Sequence, residues 1–230
     1  MSNLANNLAK FKNELGSVCR NCDRDPSEIS LVVITKNRSA DEVNELLAAG
    51  VSRIGENRLR EALIKLTPQF TGGMNLLPCE KHFIGSIQSN KAREIAQNFD
   101  VVQSVGSVKV AKILDSAVNS PLPIFLQANL AHEFQKSGFI EDDLAEAVAE
   151  IRKLPNLKIE GLMVMGVFGD AEKTREIFAQ AKKLNDQFGF KNLSAGMSGD
   201  WQIAVEEGAN FLRIGRRLFE RVDDFSFIRN

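Results

Sequence analysis

Lys36 is the residue of this chain best placed for covalent chemistry. It follows Ile29–Thr35 (ISLVVIT), the most apolar short run in the sequence, where incomplete hydration would disfavour the charged form and leave an amine able to attack a carbonyl. A lysine just past a strand is also commonly a solvated loop residue, and position alone leaves both readings open. Two glycine-flanked loops carry anion-binding types. Gly196-Met197-Ser198-Gly199-Asp200 offers a hydroxyl and unhindered amides before a helix, and Gly215-Arg216 offers amides where another helix starts. The same glycines also suit plain strand-to-helix turns. Asn57 and Arg213 lie beside glycine at strand ends and fit either ligand contacts or surface caps and ion pairs. His82 sits on an apolar HFIG stretch, where a hydrogen-bonded core or rim role is commoner than that of a general base, and His132 falls in a polar loop.

The cysteines form a CxxC (Cys19, Cys22) and, with histidine, a CxxH (Cys79, His82), together four ligands at zinc-like spacing. The pairs are about sixty residues apart and the CxxC ends a helix rather than turning a knuckle, so no metal is expected. A thioredoxin-type CxxC follows a strand and opens a helix, which this one does not. No Walker loop, GxGxxG, HExxH or GxSxG is present.

Hydrophobic periodicity supplies the elements that must position these groups. Asn3–Cys22 repeats Leu4, Leu8, Phe11, Leu15 and Val18 on one helical face, a leading helix. The ISLVVIT strand then stops at Lys36, and Ser39 with Glu42 makes a capping box for a helix ending at Gly50. That strand-loop-helix unit recurs, with strands predicted at Arg53–Glu56, His82–Gly85, Val101–Val105, Ile124–Asn129, Leu157–Met165, Leu193–Met197 and Phe211–Ile214. Eight such units in 230 residues fit an α/β fold of the (β/α)8 TIM-barrel type, read as a single domain over residues 1–230, with a doubly wound open sheet as the alternative. In a barrel the active site lies at the C-terminal ends of the strands, which is where every candidate above except the cysteines and His132 falls.

Charge names no partner. Lys and Arg total 29 against 30 Asp and Glu, without the basic stripe that nucleic acid or anionic lipid would require. No run approaches a membrane span and no secretory signal opens the chain, so a cytoplasmic protein is expected.

Taken in order, the strand ends resemble a known family. Ile34-Thr35-Lys36, Gly55-Glu56-Asn57, His82-Phe83-Ile84-Gly85, Gln88-Ser89-Asn90-Lys91, Gly161-Leu162-Met163, Gly196-Met197-Ser198, Arg213-Ile214-Gly215 and Phe219 are similar to the YggS/PROSC type of pyridoxal 5'-phosphate (PLP) homeostasis proteins. The resemblance implies a barrel like the N-terminal domain of fold-type III alanine racemase, with PLP held as a Schiff base on Lys36. It places Ser198, Gly215 and the Arg216 amide on the phosphate, Arg213 opposite the pyridine nitrogen, and Asn57, His82 and Met197 along the pocket, with Lys136 as a secondary lysine near the mouth. The chain departs from the family pattern at Thr35 (usually serine), Ala195 (methionine), Arg58 (an aromatic), Arg216 (threonine or serine) and Glu220.

The chain contains no tyrosine, whereas the fold-type III racemase mechanism implied by the resemblance pairs its lysine with one. The length also leaves no room for a racemase's second β-domain, and a cationic Arg213 opposite the ring nitrogen would weaken the ring as an electron sink. The expected function is therefore PLP carriage and homeostasis without strong catalysis, as a monomer, with PLP-dependent apoenzymes as recipients and without nucleic acid or membrane partners. The alternatives are a weak PLP-dependent racemase and a phosphosugar or nucleotide enzyme on an unrelated barrel.

Overall fold

The computed structural model describes residues 3–66, 76–131 and 137–219. Its centre is a closed barrel of eight parallel strands in chain order. They are β1 (Ser30–Ile34), β2 (Arg53–Glu56), β3 (Glu80–Phe83), β4 (Val101–Val105), β5 (Leu122–Gln127), β6 (Leu157–Met163), β7 (Asn192–Ser194) and β8 (Phe211–Ile214). Closure is made by β1 against β8, from Ser30 opposite Phe211 to Val33 opposite Ile214, so no strand edge is left unpaired. Around it run α1 (Asn3–Asn21), α2 (Ala40–Ala48), α3 (Leu59–Leu66), α4 (Ala92–Asn98), α5 (Val108–Asp115), α6 (Glu141–Ile151), α7 (Ala171–Gln187), α8 (Trp201–Glu206) and α9 (Arg216–Phe219). The predicted (β/α)8 barrel with a leading helix is the observed fold, and the open sheet is not.

Local chemistry sets the element ends. The capping box at α2 is complete, with Ser39 Oγ accepting from Glu42 N–H and the Glu42 carboxylate accepting from Ser39 N–H. At β7 the strand stops at Ser194, short of the predicted Met197. Gly196 adopts φ +88°, and a Cβ there would lie 2.7 Å from the Ala204 Cβ, so the chain must turn and only glycine fits the turn. On α1 the buried residues are Leu8, Phe11, Leu15, Gly16 and Cys19. Cys19 takes the inner position that sequence spacing gave to Val18.

Helix α1 covers the seam where the barrel closes. It packs on α2, α8 and α9, with the Phe11 ring edge-on to Trp201 at 5.0 Å and Asn7 Nδ2 donating to Leu218 O at 3.0 Å. Burying Leu8, Phe11 and Leu15 contributes roughly 1.5–3 kcal/mol each. Among the described residues no helix is long and apolar enough to cross a membrane.

The barrel interior has two layers of different chemistry. One is apolar, with Val101, Phe125 and Met163 packed with Met165 and Phe211. The Phe125 and Phe211 rings meet across the barrel at 5.2 Å. The other is polar: His82, Gln103, Ser194 and Arg213 are all buried and hydrogen-bonded to one another.

Candidate functional site

At the strands' C-terminal ends lies a cavity of about 670 Å³. Its walls are the end of β1 and the segments that follow β6, β7 and β8. It gathers Lys36, Met197, Ser198, Arg213, Gly215 and Arg216, six of the eight residues singled out from the sequence. Asn57 and His82 do not line it. Asn57 ends the β2 turn with its backbone oxygen tight against Gly85, where a Cβ would sit 2.0 Å from that oxygen. His82 lies inside the barrel, bonded to Gln103 and Glu80. Lys136, His132 and Glu220, with most of the Thr67–Pro78 loop, lie outside the described residues.

Lys36 stands on a tightly held turn. The residue before it, Thr35, is fully buried and anchored through every polar group it has. Its N–H donates to Gly55 O at 3.0 Å, and its carbonyl accepts from Arg38 N–H at 3.1 Å and from Lys65 Nζ at 2.5 Å. Its hydroxyl donates to Glu56 Oε1 at 2.6 Å, and Lys65 closes the group as a buried ion pair with the same Glu56 oxygen at 2.5 Å. Asn37 then adopts φ +59°, a left-handed conformation that asparagine tolerates, and turns the chain into α2. Lys36 itself is exposed at the cavity rim. The incomplete hydration expected of it is absent from the open cavity, because β1 ends two residues earlier and lifts the side chain clear of the strand layer.

Two loops face Lys36 with anion-binding groups. In Gly196–Asp200 the Asp200 carboxylate accepts from Met197 N–H at 2.5 Å, and Met197 O accepts from Asp200 and Trp201 N–H. Those bonds fix the loop and leave its remaining amides, with the Ser198 hydroxyl, at the cavity. Arg216 is exposed and adds a full positive charge. The helices behind the loops span six and four residues, so the hydroxyl, the loop amides and the arginine outweigh any helix dipole here.

Arg213 is the buried cation of the site. Its Nη1 donates to Ser194 Oγ at 2.7 Å and its Nη2 to Val164 O at 2.8 Å. Burial lowers its pKa to about 10, opposed by the nearby Asp200 carboxylate, so the guanidinium is still charged at neutral pH.

Sequence reasoning missed three contributors. Phe168, after β6, is fully exposed and lines the cavity. Lys65 had a usable signal, since it is a charged residue at the core-facing phase of α3, three residues after buried Ala62. Ser194 carried none, because its partners come from strands remote in sequence. Among the described residues no three His, Cys, Asp or Glu side chains gather as a metal site.

Known proteins resemble this chain over most of its length. The family model described as alanine racemase, N-terminal domain, matches residues 3–220. A pyridoxal phosphate homeostasis protein of Pseudomonas aeruginosa is 38% identical over 226 residues, spanning 95% of this chain and 96% of that one. PipY of Synechococcus elongatus PCC7942, solved with PLP bound, superposes with a TM-score of 0.81 at 32% identity, covering 94% of this chain and all of that one. An alanine racemase of Clostridium difficile superposes with a TM-score of 0.68 at 15% identity, over 96% of this chain and 57% of that one, a likeness of fold.

Proposed function

The chain belongs to the alanine racemase N-terminal domain family, and from that premise we propose that it binds PLP at the barrel mouth and serves PLP homeostasis as a carrier. The observation that carries this reading is one cavity shared by a rim lysine, a hydroxyl-and-amide loop, an exposed arginine and a buried arginine. Those groups fit the parts of PLP. Lys36 would supply the amine that holds the aldehyde. Ser198, Gly215 and Arg216 hold the phosphate, and Met197 flanks the ring. Arg213, charged at neutral pH, faces the ring nitrogen and opposes its protonation. Asn57 and His82 act from behind the cavity wall.

When bound, PLP supplies an electrophilic ring able to stabilise a carbanion, and a cation opposite its nitrogen blunts that capacity. The absence of tyrosine removes the second base that a racemase of this fold would use. The reading extends to a single domain over residues 1–230 acting as a cytoplasmic monomer that passes PLP to apoenzymes.

Titration of the purified chain with PLP, followed by visible absorbance, tests the binding step. A saturable visible band that Lys36→Ala lacks is the expected result. A band that is absent from the wild type, or equally strong in the variant, overturns the reading.

A further inference from the structure

The polar layer inside the barrel is a one-way chain of hydrogen bonds. Arg213 Nη1 donates to Ser194 Oγ at 2.7 Å, and Ser194 Oγ donates to Gln103 Oε1 at 2.7 Å. That leaves the Gln103 amide nitrogen, which can only donate, 2.8 Å from His82 Nδ1. His82 Nδ1 must therefore accept, which puts the ring proton on Nε2, 2.7 Å from Glu80 Oε1. Arg53 Nε donates to the same Glu80 oxygen at 3.0 Å. Each link thus pairs a donor with an acceptor, and the direction runs from the buried arginine to a half-exposed carboxylate at the start of β3.

Neither Gln103 nor Ser194 lines the cavity, and both are fully buried. An apolar barrel layer would fill the same space, so the polar residues need another reason to be there. Arg213 provides it: among the described residues its guanidinium donates to Ser194 Oγ and Val164 O, neutral acceptors that fix its plane. A hydroxyl whose own proton is committed to Gln103 is a better acceptor, since successive hydrogen bonds polarise one another.

We infer that Ser194 and Gln103 are positioning residues that hold the plane of Arg213, and that the chain they form with His82 and Glu80 sets how the cofactor ring sits. This rests on the PLP reading above. It also gives His82 a role at the site that does not require it to reach the cavity.

The test is PLP titration of the folded full-length chain, recording both affinity and the position of the visible band. Ser194→Ala is expected to bind about tenfold more weakly and to displace the band, while Ser194→Thr, which keeps the hydroxyl, restores both. Glu80→Gln, at the exposed end of the chain and outside the cavity lining, is expected to weaken binding about twofold with a smaller displacement, and it carries the test if Ser194→Ala does not fold. Wild-type affinity and band position in Ser194→Ala, or in Glu80→Gln where that variant carries the test, overturn the positioning role, as does a Ser194→Thr variant that behaves like the alanine. A wild type without a band overturns the PLP reading instead, so the two failures are distinct.

Discussion

Arg216 stands where a hydroxyl is usual in the family the sequence resembles, and in the proposed site it would help to hold the phosphate. It is exposed at the cavity rim, so its charge acts through partly screened solvent, and a charge-assisted bond there is worth roughly 1.5 kcal/mol. Arg216→Ala should therefore weaken PLP binding about tenfold, with the difference shrinking as salt is raised. Equilibrium dialysis at two ionic strengths measures it, and an unchanged dissociation constant at low salt would show that Arg216 does not touch the phosphate. At this scale the sequence was informative wherever residue type and strand end sufficed, as for Lys36, Ser198 and Arg213. It was silent on Ser194 and on its hydrogen bond to Gln103, which joins residues 91 apart across the barrel.

The element that matters most to Lys36 is the junction of β1, β2 and α3. Glu56 and Lys65 are 1% and 8% exposed, so each charge depends on the other, and Thr35 takes its place from both. Removing the lysine strands a buried carboxylate, whereas removing both charges leaves none. Lys65→Met should cost roughly 3–5 kcal/mol in urea denaturation, and adding Glu56→Gln should recover much of it. Additive losses in the double variant would contradict this. Element identities were legible because strand and helix periods are local properties. β2, β4 and β8 match their predicted limits. β3 begins at Glu80, two residues before the predicted start, which an apolar run could not reveal because the first two side chains are charged. Glu80 is held there by Arg53 and His82, and that pairing has no sequence signature.

The whole molecule works as a ring whose closure builds the site. β8 must lie beside β1 for Arg213, Gly215 and Arg216 to face Lys36, residues about 180 positions apart in the chain. The seam is covered by α1, by Arg24 donating to Val205 O and Ala209 O at 2.8 and 2.7 Å, and by Arg38 stacked on Phe219 at 4.4 Å. The count of strand-helix units made the barrel legible in the sequence. The seam was not, because nothing local marks which faces meet when a ring closes. The central claim is that closure delivers one lysine, Lys36, to a PLP site. Borohydride reduction of the PLP-loaded protein, followed by proteolysis and mass mapping, tests it most directly. The predicted result is a single modified peptide containing Lys36, lost in Lys36→Ala. Label spread over surface lysines, or fixed on another residue, would contradict the account.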